Sequence, residues 1–158
     1  PDIRFVFTAA SADAGGQRIN EFLRTLCARH PERTRFMANL GSRLYVNVMR
    51  RADVVMGNSS SGVIEAPFVG VPTVNIGSRQ AGRLRAPSVI DCGPDAADVV
   101  RAFERALAAG PESRAAGGNS PLGSGDSSNR IVEILDRFRS TDLARPPFHD
   151  LSCEMESE

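Results

Sequence analysis

The chain has 158 residues, enough for one domain with a core of its own. Its 19 basic and 19 acidic side chains cancel, so no global charge argues for nucleic acid or an anionic membrane as partner. Every basic residue is arginine, which rules out imine chemistry at a lysine, and no apolar stretch approaches the ~18 residues of a membrane helix.

The elements follow in order. Ile3–Thr8 reads as a first strand and Ser11–Gly16 as a loop. Ile19, Phe22, Leu23 and Leu26 fall at helical spacing, and Pro31 ends that helix. Arg35–Leu40 reads as a second strand. Ser42 is expected to cap a helix carrying Leu44, Tyr45, Val48 and Met49. Asp53–Met56 is a third strand, running into a short helix from about Gly62 to Val69, where Pro67 predicts a kink or an early end. Pro72–Gly77 is a fourth strand, Ser78–Pro87 a loop with three arginines, and Ser88–Asp91 a fifth strand. Asp95 caps a helix whose apolar residues are Val99, Val100, Phe103 and Leu107. Gly110–Asp126 reads as a loop, and Ile131, Ile134, Leu135 and Phe138 mark a final helix. The domain is expected over 1–140, with an extended or disordered tail over 141–158.

Short strands that are apolar on both faces and alternate with helices predict an α/β fold, a parallel sheet covered on both sides. Such sheets bind ligands at the carboxyl ends of their strands. The loops there hold Asp13, Asn39–Ser42, Asn58–Gly62 and Arg79, four segments that converge on one crevice.

The most informative of them is Gly57-Asn58-Ser59-Ser60-Ser61-Gly62, between an apolar run and a helix. Free N–H groups, hydroxyls and the positive end of the helix dipole meet there, which suits phosphate. Serine is also the preferred N-cap, so the turn alone reads equally as a cap. Glu65, four residues past Ser61, leans toward the same crevice, where a carboxylate suits the paired hydroxyls of a ribose or simply the helix dipole. Arg79 is placed to clamp a phosphate; Arg83 and Arg85 read as solvated or paired on the surface. Asp13 reads as a helix cap ahead of a ligand residue. His30, at a helix end, and His149, in the tail, are poor general bases. Cys27, Cys92 and Cys153 have neither metal nor disulfide spacing and read as inert thiols of a reducing cytosol.

At Gly57–Pro67, Gly70–Gly77 and Arg79–Arg83 the chain resembles the UDP-N-acetylglucosamine 2-epimerase family, closest to its hydrolysing branch. Phe7-Thr8 with Ser11–Gly16, Ser88–Cys92 and Ser120–Gly125 carry the same likeness. The resemblance implies a Rossmann-like three-layer domain, one half of a GT-B architecture, with UDP between two domains. It implies diphosphate contacts at Ser59 and Ser60, with Ser61, Gly62 and Asn58 in the same turn. It further implies ribose on Glu65, the phosphate region at Arg79 and uracil at Asn39 and Leu40. No cofactor or metal is expected. The partners would be UDP-GlcNAc or a related UDP-sugar and the protein's own N-terminal domain, which supplies the acids and bases. Neither nucleic acid nor membrane is expected, the location would be cytoplasmic, and the parent could form a homo-oligomer. The opening on Pro1 suggests a domain cut from a longer protein. Ser11 and Leu122 depart from the family pattern, where Asn and an aromatic are common. A GT-B glycosyltransferase and a non-catalytic nucleotide-binding domain are the rival readings.

Overall fold

A computed structural model describes residues 2–11, 14–115, 121, 123 and 125–137. The chain divides into two compact units, Pro1–Pro121 and Leu122–Glu158. The tail, His149 and Cys153 lie outside the described residues, as do Asp13, Leu122 and Phe138.

The first unit runs β1 (Phe5–Thr8), α1 (Gly16–Arg29), β2 (Thr34–Met37), α2 (Gly41–Arg51), β3 (Val55–Gly57), α3 (Ser60–Phe68), β4 (Thr73–Ile76), β5 (Val89–Cys92) and α4 (Ala96–Ala115). Every strand pairing is parallel, as the alternation of strand and helix requires. The hydrogen bonds form two ladders rather than the single sheet expected. β1 pairs with β2, and β3-β4-β5 make a second sheet; among the described residues no ladder joins them. β3 has only three residues, and each of them pairs with β4.

β4 is the middle of the second sheet, and Thr73, Val74 and Asn75 are buried. Its residues alternate between faces. Val74 and Ile76 meet Ala102, Ala106 and Phe103 of α4, while Thr73 lies under Gly62 of α3. Helices therefore cover both faces, the doubly wound arrangement. A Cβ at Gly62 would stand 2.8 Å from Thr73 Cγ2, so only glycine allows α3 this close to the strand.

Three local expectations change. Ser42 is not the cap of α2, because the helix starts two residues earlier than that cap would place it, at Gly41. Leu40 occupies the cap position, and Asn39 Oδ1 accepts the Gly41 N–H at 2.7 Å. The buried face of α4 is built on Ala102 and Ala106 instead of Val100 and Leu107, which are 54% and 39% exposed. Small residues there let the helix sit close on the sheet. Gly110 breaks α4 (φ 47°, ψ −145°) but helical turns resume to Ala115, so the first residues of the loop predicted over Gly110–Asp126 are helical. Pro67 acts as expected: α3 ends one residue beyond it.

In the second unit α5 (Ser127–Arg137) is an amphipathic helix with none of its residues buried.

Candidate functional site

The serine turn forms because β3 must stop before α3 can start. Gly57 has φ 143°, a conformation that residues with a Cβ avoid, and it turns the chain out of the strand. Ser59 is the N-cap of α3 in extended conformation, and its Oγ accepts the Ser61 N–H at 3.3 Å. The capping role is therefore real. It uses one hydroxyl and leaves Ser60, half-buried, in the first turn.

Ser61 behaves differently from its neighbours. It is 9% exposed, and Tyr45 Oη donates to its Oγ at 2.7 Å. Ser61 thus anchors the turn to α2. Tyr45 is the chain's one tyrosine, counted from sequence only as part of an apolar face. A phenol half-buried among apolar groups needs a hydrogen-bond partner, and that was the available clue.

Tyr45 also lines an open cleft of about 270 Å³ with Thr8, Ala38, Asn39, Leu40, Gly41 and Ser42. Asn39 and Leu40 thus stand in a concave site at the carboxyl end of β2, facing Thr8 at the end of β1. The Asn39 side-chain oxygen is committed to the Gly41 N–H, so its amide N–H₂ is left to face outward.

The arginine loop reaches the turn from the other side. Gln80, 3% exposed, donates from Nε2 to the Asn58 carbonyl at 2.8 Å, and Arg79 Nη1 approaches the same oxygen at 3.3 Å. Gln80 is a second residue missed from sequence, where it sat inside a loop noted only for its arginines. The loop is in fact stitched down. Arg85 pairs through Nε with Asp91 Oδ2 at 2.9 Å and donates to the Gln80 and Arg83 carbonyls. Asp91 in turn accepts from Asn75 Nδ2 at 2.6 Å. The surface pairing expected for Arg85 is thus made to β5, and Arg83 is exposed.

Asn39, Leu40, Asn58, Ser59, Ser60, Ser61, Gly62 and Arg79 are therefore linked around one edge, through Tyr45 on one side and Gln80 on the other. Glu65 is exposed on α3, one turn along from that end. On the opposite edge of the first sheet's helix, His30 is the C-cap of α1, and its carbonyl accepts from Thr34 Oγ1 at 2.7 Å, a structural role. Burial pushes the Cys92 thiol up, reinforced by the Asp98 and Asp91 carboxylates, which favours its protonated form. Among the described residues no cluster of three or more His, Cys, Asp or Glu could hold a metal, and no helix is long and apolar enough to cross a membrane.

Comparison with known proteins gives this edge a context. The family model for UDP-N-acetylglucosamine 2-epimerase matches residues 1–136. The chain is 43% identical over 100 residues to a GDP/UDP-N,N'-diacetylbacillosamine 2-epimerase (hydrolyzing) of Campylobacter jejuni, covering 63% of this chain and 26% of that protein. It is 36% identical over 97 residues to polysialic acid biosynthesis protein P7 of Escherichia coli, covering 61% and 24%. It is 34% identical over 90 residues to a UDP-N,N'-diacetylbacillosamine 2-epimerase (hydrolyzing) of Legionella pneumophila, covering 57% and 23%. The matched part is about a quarter of the length of these relatives. With the family matched over most of its length, on an α/β fold of parallel strands, the chain belongs to the UDP-N-acetylglucosamine 2-epimerase family.

Proposed function

We propose that this chain is the UDP-holding part of a hydrolysing UDP-N-acetylglucosamine 2-epimerase, one half of a GT-B pair of domains. The observation that carries the reading is the 2.7 Å bond from Tyr45 to Ser61. It couples a cleft large enough for a base to the N-terminus of a helix suited to phosphate. Uracil would enter the cleft against Asn39 and Leu40. The diphosphate would meet Ser59, Ser60 and the Gly62 end of α3, with Arg79 beside it. Glu65 would reach back to the ribose hydroxyls.

In the proposed reaction UDP is eliminated from UDP-GlcNAc, and hydration of the resulting glycal yields ManNAc or a related 2-epimer. Negative charge grows on the diphosphate as the bond to the sugar breaks. The α3 dipole, its free N–H groups and the Arg79 guanidinium are set to stabilise that charge. Protonation and deprotonation at the sugar fall to the N-terminal half of the protein, and this chain alone would be inactive. No cofactor is called for, and the setting would be cytoplasmic. The names of two relatives favour a second reading of the sugar as N,N'-diacetylbacillosamine, with the same grip on UDP.

Calorimetric titration of UDP into the protein carrying both halves, wild type against Glu65→Ala, tests the site. A loss of about 1–3 kcal/mol is expected for a charged hydrogen-bond acceptor. Equal affinities remove Glu65 from the ribose. Turnover of UDP-GlcNAc by this chain alone would overturn the placement of the acids and bases elsewhere.

A further inference from the structure

Asn58 O is the last carbonyl before the three serines, and two side chains hold it. Gln80 Nε2 donates to it at 2.8 Å from a residue only 3% exposed, and Arg79 Nη1 donates at 3.3 Å from the surface. Gln80 is itself fixed from behind. Its own carbonyl accepts from Arg85 Nη2 at 3.0 Å, and Arg85 Nε pairs with Asp91 Oδ2 at 2.9 Å. Asp91 Oδ1 accepts in turn from Asn75 Nδ2 at 2.6 Å. Asn75 is buried in the middle strand of the second sheet. An unbroken line of polar contacts therefore runs from β4 to the Asn58 carbonyl.

Packing alone does not account for Gln80. Its Oε1 is buried and has no partner among the described residues. A buried acceptor without a donor gives up the hydrogen bonds it made to water, which costs stability. A methionine would fill a similar space without that cost. What the amide adds is its N–H₂, delivered to Asn58 O. The peptide unit that holds this carbonyl is planar and trans. Its N–H, on Ser59, therefore points opposite to the carbonyl, away from the arginine loop. Ser61 N–H is taken by Ser59 Oγ and Gly62 N–H by Ser59 O, whereas Ser59 N–H and Ser60 N–H have no acceptor among the described residues. A donor that pulls on a carbonyl polarises the whole peptide and strengthens its N–H.

We propose that Gln80 is a positioning residue for anion binding: it holds the Asn58 carbonyl so that the Ser59 N–H is aimed and polarised for a phosphate. Arg85 and Asp91 keep Gln80 in register. The proposal rests on the reading of the N-terminus of α3 as the phosphate seat, and it divides the labour of the arginine loop. Arg79 reaches Asn58 O over the longer bond and from an exposed side chain, so a phosphate can draw its guanidinium away. Gln80 is buried and stays, and the carbonyl remains held when the anion is bound.

Calorimetry on the protein carrying both halves tests it, with UDP, uridine and inorganic pyrophosphate as probes. In Gln80→Met the affinities for UDP and pyrophosphate should fall about 3- to 10-fold, the worth of one hydrogen bond, while uridine binds as in wild type. Gln80→Asn, whose amide is one methylene too short for Asn58 O, should give the same split, which guards against a packing fault in the methionine variant. Equal losses for UDP and uridine in both variants would make Gln80 a purely structural residue. Unchanged pyrophosphate affinity would mean that the Ser59 N–H does not depend on it. Either result overturns the proposal. If wild type binds pyrophosphate but not UDP, the nucleotide reading fails, and the pyrophosphate comparison alone decides the role of Gln80. If wild type binds neither, both fail.

Discussion

β1 and β4 are both four-residue parallel strands, and their contrast is the most instructive feature of the molecule. β1, Phe-Val-Phe-Thr, is the more apolar, yet its residues alternate between half-buried and exposed. β4, Thr-Val-Asn-Ile, carries two polar side chains and is buried through Asn75. The difference lies in their neighbours. β4 has a strand on each side, α3 on one face and α4 on the other. Among the described residues β1 has a strand on one side only. The helices repeat the pattern: α3 buries Val63, Ala66 and Pro67, whereas α1 buries only Gly16 and leaves Ile19 and Phe22 more than half exposed. What α1 and β2 do share is a cation–π contact, with Arg24 4.4 Å above the Phe36 ring, which shields apolar surface without burying it. Burial follows from what is stacked against a strand and not from its own composition.

The comparison can be broken from its strong side first. Val74→Ala removes two methyl groups from the fully buried centre of the second sheet and should lower stability by about 2–3 kcal/mol in urea unfolding. A loss well under 1 kcal/mol would show that this core is loose. Tyr45→Phe deletes the bond that ties α2 to α3 and should cost about 0.5–1.5 kcal/mol by the same measurement. A weaker UDP affinity should accompany it, because Ser61 would lose its anchor; unchanged affinity would separate the cleft from the turn. Val6→Ala is expected to change stability by less than about 0.5 kcal/mol in this chain, as for an exposed site. A loss above about 1 kcal/mol would show that Val6 is packed and not exposed. The smallest effect is chemical. The rate of Cys92 alkylation should keep rising to higher pH than that of an ordinary thiol, because burial and the neighbouring Asp98 and Asp91 carboxylates raise its pKa. A pH profile at or below that of a free cysteine would contradict its burial against α4.

Much of this architecture was legible in the residues. Alternating periodicities located all five strands and the helices between them, and Gly57 followed by serines marked the strand-to-helix turn. Capping was harder: Ser42 is a better cap residue than Leu40, but Asn39 closes its own turn on the Gly41 N–H and starts the helix early. The face of α4 was misjudged because large apolar residues dominate a periodicity argument, while close packing on the sheet selects Ala102 and Ala106. In the site, the local segments were found but not the residues that bind them together. Tyr45 and Gln80 make contacts 16 and 22 residues away in sequence, and no local pattern announces such partners.

The sequence by itself determined the alternation of strand and helix, the parallel pairing that alternation forces, and the turn with a helix N-terminus at the end of β3. These are local consequences of side-chain period, glycine and capping chemistry. Only the tertiary structure decided that Ser61 bonds Tyr45 of α2, that Gln80 holds the arginine loop on Asn58, and that the strands of the described residues fall into two ladders. Those outcomes depend on which groups meet across space, because a hydrogen bond or a strand edge is satisfied by its neighbour in the fold and not by its neighbour in the chain.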